Sequence, residues 1–209
     1  MSSKSSTWWW LIGIGGALGA LVWWLHNSGE DLVAEAEDVL ARAASVFHSL
    51  TDAARTAAST YWPIVRSAAA DYGLPAPLIL AIMWRESRFG LALSPPGPGG
   101  TGDVGHGRGL MQIDDRAFKS WVASNNWQDP ETNIRKGAEV LRDAYRYFQN
   151  KGYTGTDLWA AAIAAYNAGA AHVYGAIQAG DTADSVTTGG EYATWVLDAA
   201  ESLKSYGFV

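Results

Sequence analysis

The chain has 209 residues, of which 48% are hydrophobic and 17% charged, a composition that excludes an acidic disordered tail. A net charge of −6 argues against an electrostatic nucleic-acid binder, so no nucleic-acid partner is expected. The absence of cysteine excludes disulfide scaffolds, thiolate metal sites and cysteine nucleophiles. The length predicts one full domain with an appendage.

Five of the 11 tryptophans bracket residues 7–25, a segment without any charged residue. Nineteen helical residues reach roughly 28 Å, close to the thickness of a bilayer core, and tryptophan is typical of membrane interfaces. The segment therefore predicts one transmembrane helix. Because Lys4 precedes it and acidic residues follow it, residues 1–6 are expected in the cytoplasm and the remainder outside. A cleavable signal peptide is the competing interpretation, although no small-x-small cleavage site follows Leu25.

The centre of this segment is rich in glycine, and Gly15 and Gly19 form a GxxxG pair. Such a pair can pack against a second copy of the helix. Low hydrophobicity would also make the anchor releasable, and this end of the chain resembles the signal-arrest-release lysins of bacteriophages. Residues 26–60 are then expected to form a helical stalk. Apolar residues at heptad spacing in this stalk suit either a coiled coil or a helix that lies against the following domain.

From residue 61 to residue 209 the sequence predicts a mostly helical domain, and the fold class is all-α. Alanine-rich amphipathic runs end at glycine or proline, and no stretch shows sustained alternation of polar and apolar residues. Residues 90–109 hold eight glycines and three prolines, which predicts a loop. The predicted helices are 63–72, 75–88, 114–125, 130–150, 156–168, 170–179 and 190–206.

Glu86 ends an apolar helical run and shares a helix face with Ile79 and Ile82. A carboxyl group on that face is partly desolvated, which resists ionisation and suits a general acid at neutral pH. A surface ion pair with Arg85 or Arg88 is the alternative interpretation.

The second candidate region runs from Gly102 to Asp115 and contains Asp103, His106 and Asp114 among closely spaced glycines. The glycines allow the backbone to approach a bulky ligand. A phosphate-binding loop is excluded, because neither a preceding strand nor a Gly-Lys-Ser/Thr ending is present. A flexible loop with turn-capping aspartates is the remaining alternative, and it suits Asp103 better than Asp114.

Three ordered motifs, RESRFG, GDVGHGRGLMQID and AAYNAGAAHV, resemble those of the goose-type lysozymes. The likeness covers residues 61–209, including a carboxyl-terminal helix that begins in TTGGEYATW, and none of the first 60 residues. It implies a lysozyme-like helical fold and a muramidase that cuts the β-1,4 bond between N-acetylmuramic acid and N-acetylglucosamine in peptidoglycan. No cofactor and no metal are implied.

The resemblance also assigns roles to individual residues. Glu86 matches the general acid, and Asp103 and Asp114 match the two aspartates that position and activate water. The residues expected to contact the glycan strand are Ser87, Gln112, Tyr166, Asn167 and Tyr192. His106 is added because it lies inside the glycine stretch, with a turn residue as the alternative interpretation. An inverting glycosidase needs such an acid and a base on opposite sides of the scissile bond.

Two departures from the goose-type pattern concern the second half of this site. The insertion SPPGPGG places Asp103 on a long glycine-proline segment, and Phe118 stands where the pattern often has histidine. Two other functions stay open. One is a lytic transglycosylase, a related family that forms 1,6-anhydromuramic ends, and the other is a non-catalytic virion membrane or penetration protein. The expected location is the host inner membrane with the catalytic domain in the periplasm, or released there, or a virion membrane.

Overall fold

The computed structural model describes residues 50–209, which contain seven α-helices and three short β-strands. The mostly helical domain that the sequence predicts is confirmed. The helices are α1 (Asp52–Tyr72), α2 (Ala76–Ser87), α3 (Lys119–Ser124), α4 (Pro130–Asn150), α5 (Gly155–Ala168), α6 (Ala170–Gln178) and α7 (Tyr192–Ser205). The strands are β1 (Thr101–Gly102), β2 (Gly107–Arg108) and β3 (Ile113–Asp114).

Helix α1 begins eleven residues before the predicted start at Pro63. Its first turn is capped by Thr51, whose hydroxyl accepts a hydrogen bond from the Ala54 backbone N–H at 3.2 Å. Pro63 does not interrupt the helix, because Pro63 and Ser59 are both exposed and water can replace the missing hydrogen bond.

The first part of α1 packs on the domain. Ala54 and Ala58 are buried, and Tyr61 packs against the same core. For residues 50–61 the heptad face therefore covers the domain, one of the two alternatives that the sequence left open. Residues 26–49 of the predicted stalk lie outside the described residues, as does the predicted transmembrane segment at 7–25. Across residues 50–209, no helix combines the length and hydropathy that a bilayer span requires.

The core lies where α5 meets α4, α6 and α7, with α2 packed between α1 and α7. In α5 the run from Ala161 to Ala165 is buried, and alanine lets the neighbouring helices approach closely. Nine of the twelve residues of α2 are buried, so its backbone is fixed on several sides. This rigid packing holds the last turn of α2, where Glu86 lies.

The predicted loop at 90–109 and the predicted helix start at 114 are both wrong in part. Strands β1, β2 and β3 form an antiparallel sheet in that order, and α3 begins only at Lys119. Each strand has two residues, which is too short to show the alternation of side chains that indicates a strand in a sequence. The sheet brings Asp103, which directly follows β1, to the same region as Asp114 in β3.

Candidate active site

A cleft of about 750 Å³ lies between helices and the small sheet. We call one side the helical wall, which contributes Glu86 from α2, Tyr166 from α5 and Tyr192 from α7. The other side, the sheet wall, is formed by the segment 101–116 and contributes Asp103, Gln112, Asp114 and Arg116. Residues up to 106 positions apart in the chain, Glu86 and Tyr192, thus face one space.

Glu86 lies in the last turn of α2 and is half-buried, as its helix face predicts. The helix ends at Arg88, whose left-handed backbone (φ 49°) turns the chain away. Ser87 fixes this turn because its hydroxyl donates to the Met83 carbonyl at 3.2 Å and accepts from the Gly90 N–H at 3.0 Å. Glu86 therefore sits on a rigid helix end in the helical wall of the cleft.

Burial raises the pKa of Glu86 from 4.5 to about 7. The Tyr192 hydroxyl, which donates a hydrogen bond to Glu86 Oε1, and the nearby Arg85 guanidinium oppose this shift, while the Asp103 charge adds to it. Arg85 forms its ion pair with Glu191 at 3.2 Å, so the sequence-based alternative of a Glu86–Arg85 surface pair is not what the structure contains. Near neutral pH, Glu86 can hold a proton and release it.

Tyr192 is buried, and a second carboxylate holds the turn from which it projects. Asp184 Oδ1 accepts the Ala193 N–H at 2.7 Å, and Asp184 Oδ2 accepts the Thr194 N–H at 3.0 Å. The negative charge at the amino-terminal turn of α7 also suits the helix dipole. Asp184 thereby orients the ring whose hydroxyl contacts Glu86.

Asp103 and Asp114 share one cation, Arg116. Its Nη2 lies 2.7 Å from Asp103 Oδ2 and 2.7 Å from Asp114 Oδ2, and its Nε lies 3.0 Å from Asp114 Oδ1. These hydrogen bonds lower the pKa of Asp114 from 3.8 to about 2. Asp114 therefore stays ionised at every pH at which Glu86 changes its protonation state.

Gln112 crosses the face of the sheet, and its Nε2 donates to the Gly109 carbonyl at 2.7 Å. A Cβ atom on Gly102 would lie 2.2 Å from Gln112 Oε1, and one on Gly107 would lie 2.0 Å from it. A Cβ atom at either position would require the end of the Gln112 side chain to move. Gly107, one of the glycines at 105, 107 and 109 that suggested close approach to a ligand in the sequence, thus allows a close approach by Gln112, as does Gly102.

Tyr166 and Asn167 both line the cleft at the end of α5. The Tyr166 hydroxyl donates to the Met111 carbonyl at 2.7 Å, which ties the helical wall to the sheet wall. Asn167 Oδ1 accepts the Thr188 N–H at 2.8 Å. Both side chains line the cleft and are oriented by hydrogen bonds within the protein.

Two predicted substrate contacts have other neighbours. Ser87 is completely buried beneath the turn that it stabilises, so a glycan strand does not reach it in this conformation. The Nδ1 atom of His106 lies 2.9 Å from Asp115 Oδ1, and His106 is not among the residues that line the cleft. Phe118, which stands where the goose-type pattern often has histidine, lines the cleft. The Lys136 ammonium lies 4.8 Å from the centroid of its ring.

Sequence reasoning missed Arg116, Asp184 and Asn133. Asn133 is buried, accepts the Met111 N–H at 2.8 Å and donates to the Arg108 carbonyl at 2.9 Å, so it anchors the sheet on α4. An arginine two positions after Asp114 is visible in the sequence, but its contact with Asp103 depends on the sheet. Asp184 lies eight residues before the start of α7, too far for the capping pattern that indicates a helix start in a sequence.

Residues 63–186, more than half of the chain, match the family model described as Transglycosylase SLT domain. The chain belongs to this SLT family. A lysozyme g from Epinephelus coioides is 32% identical over 149 residues, which is 68% of this chain and 73% of that protein. The SLT match and this relative together confirm the resemblance to goose-type lysozymes that the three sequence motifs indicated.

Other relatives of this SLT-family chain carry the same description. A lysozyme G from Dromaius novaehollandiae is 33% identical over 133 residues, and a lysozyme g from Gallus gallus is 32% identical over 133 residues. The chain spans 59% and 57% of the length of these two proteins. The prediction of an enzyme of the lysozyme class is confirmed by the relative from Epinephelus coioides, of which the chain spans 73%.

Proposed function

We propose that the chain hydrolyses the β-1,4 bond between N-acetylmuramic acid and N-acetylglucosamine in peptidoglycan. The observation that carries the proposal is the pairing of unlike carboxyl groups in one cleft. Glu86 has a pKa of about 7, whereas Asp114, on the sheet wall, has a pKa of about 2. Carboxyl groups whose environments separate their pKa values in this way supply an acid and a base to a glycosidase.

Glu86 is the general acid in this mechanism. Its proton passes to the glycosidic oxygen as the bond to the sugar breaks, and the carboxylate that remains is stabilised by the Tyr192 hydroxyl. Burial keeps the proton on Glu86 up to neutral pH, and the hydrogen bond limits the cost of losing it.

Asp103 and Asp114 hold the attacking water on the other face of the sugar. An ionised carboxylate accepts a proton from water as the water attacks the anomeric carbon, and inversion requires room for that water, with carboxyl groups roughly 6.5–9.5 Å apart. Gln112, Tyr166 and Asn167, which line the same cleft, are the proposed contacts with the sugar rings.

The SLT family match favours a second candidate, a lytic transglycosylase. In that reaction the muramic acid 6-hydroxyl replaces water, and the product has a 1,6-anhydro end. Two carboxylates in the sheet wall favour hydrolysis, since intramolecular attack needs no residues to position water.

Mass spectrometry of digested peptidoglycan in H₂¹⁸O separates the two reactions. Hydrolysis predicts reducing muramic acid ends that carry one ¹⁸O atom, and anhydro ends without label would contradict it. The Glu86→Gln variant is the blank for both reactions. A chain that forms neither product, at any pH between 4 and 8, would support the non-catalytic virion protein.

The proposed setting is host cell lysis by a phage-type enzyme, with residues 7–25 as a membrane anchor and the catalytic domain in the periplasm. The uncharged, tryptophan-bordered segment supports the anchor, and Lys4 supports the orientation. Self-association through Gly15 and Gly19 is part of the same hypothesis.

Fusion of a periplasm-dependent reporter after Val209 tests the orientation, and a signal only from a cytoplasm-dependent reporter would contradict it. Fractionation of cells before and after depolarisation tests release. Full-length chain in the soluble fraction indicates a releasable anchor, whereas permanent membrane association indicates a fixed one. Chain shortened at its amino terminus would indicate a cleaved signal peptide.

A further inference from the structure

Arg116 joins two parts of the sheet wall that the backbone leaves separate. Asp114 belongs to β3, but Asp103 lies on the turn between β1 and β2, where it begins a one-turn 3₁₀ segment, Asp103–Gly105. The Arg116 Nη2 atom contacts Oδ2 of both aspartates at 2.7 Å. A second anchor fixes the arginine itself, because its backbone N–H donates to Asp114 Oδ1 at 2.7 Å.

The turn that carries Asp103 is strained and lies in solvent. Asp103 and Val104 have φ angles of 45° and 54°, in the left-handed region that non-glycine residues rarely occupy. For a branched side chain such as Val104 this conformation is especially unfavourable. The Val104 side chain is fully exposed, so packing at the tip does not compensate for the strain. A contact elsewhere must hold the turn, and strain of this kind is found at functional sites.

The other charged residues near Arg116 do not replace it as the partner of Asp103 and Asp114. Asp115, the next residue after Asp114, is engaged by Arg108 and His106 instead. Lys119 shares a shallow surface depression with Arg116, and Glu86 and Arg85 line the same cleft as Arg116. The sheet wall therefore contains two separate ion-pair groups, one at Asp115 and one at Arg116.

We propose that Arg116 is a positioning residue that clamps Asp103 onto Asp114, so that both carboxylates face the cleft as one unit. The clamp rests on the proposed function for its catalytic consequence, because its purpose is to hold the water-binding pair. Arg116 itself does not transfer a proton. Without it, the turn 103–105 relaxes its positive φ angles and carries the Asp103 carboxylate away from Asp114.

The variants Arg116→Gln and Arg116→Lys test the clamp. Glutamine removes the charge at similar length, and lysine restores the charge without the two-pronged guanidinium geometry. Arg135→Gln is the matched control. Arg135 also joins two carboxylates, with Nη1 2.6 Å from Asp71 Oδ2 and Nε 2.9 Å from Glu131 Oε1, but it lies outside the cleft.

In peptidoglycan turnover, Arg116→Gln is expected to lower kcat about tenfold or more with little change in KM, since the contact positions a reacting group rather than a binding group. Arg116→Lys should recover part of kcat, and Arg135→Gln should retain it. In an Asp103→Asn background, Arg116→Gln should lower kcat by a smaller factor, because the Asp103 carboxylate that Arg116 holds is already absent. Equal kcat in Arg116→Gln and Arg135→Gln would overturn the proposal.

Two measurements do not depend on activity. Hydrogen exchange at the amides of residues 103–107 should accelerate in Arg116→Gln and not in Arg135→Gln. By carboxyl NMR, the pKa of Asp114 should rise from about 2 toward about 3.9, the ordinary value for Asp. If the wild-type chain does not cleave peptidoglycan, the proposed function fails, while these two measurements still decide the clamp. Unchanged exchange in Arg116→Gln would refute it.

Discussion

The helical wall and the sheet wall of the cleft hold their carboxyl groups by opposite means. Glu86 sits on a buried helix end, where desolvation favours the protonated form. Asp103 and Asp114 lie at the surface of a sheet of two-residue strands, where Arg116 pairs with both and favours the ionised form of Asp114. The helical wall thus uses packing to make an acid, and the sheet wall uses an ion pair to keep a base. Substitutions on the two walls should therefore have different consequences.

The largest effect is expected from Glu86→Gln, which removes the proton donor from the helical wall. Bond cleavage should fall by about 10³-fold or more, since general acid catalysis contributes roughly 10²–10⁴-fold. Reducing-end release from purified peptidoglycan measures the loss. Glu201→Gln, at an exposed glutamate of α7 that pairs with Lys204, is the control and should retain full activity. Substantial activity in Glu86→Gln would remove Glu86 from the mechanism.

A smaller loss, about 10²-fold, is expected from Asp114→Asn on the sheet wall. The amide cannot accept a proton from water, but Asp103 remains beside it and keeps one carboxylate in the cleft. The same peptidoglycan assay gives the result, with Asp143→Asn as a remote control. Activity equal to that of the wild type would mean that water is not activated there, and it would favour transglycosylation.

The variant expected to lose the most activity, Glu86→Gln, should gain stability, because a charged carboxyl group is costly in the helical wall. The pKa of Glu86 is about 7 in the folded state, above the ordinary value of 4.5. Below pH 4.5 the Glu86 carboxyl is protonated in both the folded and the unfolded chain, so its burial carries no charge penalty. As the pH rises from 4.5 through 7, ionisation is favoured more in the unfolded chain, and the free energy of unfolding decreases. Glu86→Gln should therefore be more stable than the wild type by about 1–3 kcal/mol at pH 8, with little difference at pH 4.

Urea unfolding at the two pH values measures this difference in the free energy of unfolding. Glu201→Gln should show no such pH-dependent gain, since Glu201 is exposed. A gain for Glu86→Gln that is the same at pH 4 and pH 8 would show that desolvation of the charge is not its cause.

The smallest effect is expected from Tyr192→Phe, which changes one hydrogen bond within the helical wall. The hydroxyl stabilises the Glu86 carboxylate, so its loss should raise the pKa of Glu86 further. The basic limb of the kcat/KM profile should then move upward by about one pH unit. Tyr174→Phe, at a tyrosine outside the cleft, should leave the limb in place. A downward shift would contradict the assigned direction of this hydrogen bond.

The helices of the domain were largely predictable because periodicity and glycine stops act within one segment. Helices α4, α5 and α6 lie within one residue of their predicted bounds. The start of α1 was not predictable from Pro63, since a proline on the exposed side of a helix does not end it. The sheet was missed because its hydrogen bonds join two-residue strands whose pairing leaves no periodic pattern.

The sequence by itself determined that Glu86 faces the apolar side of a helix, that Asp103 and Asp114 flank a glycine-rich segment, and that the chain resembles goose-type lysozymes. Those inferences depend on helix geometry and on ordered motifs, which are local. The tertiary structure decided which groups meet: Tyr192 with Glu86 across 106 positions, and Arg116 with Asp103 across 13. It also decided that Ser87 is buried under a turn and that Asp184 holds α7. Desolvation and charge pairing depend on neighbours from distant segments, and only the folded chain brings those neighbours together.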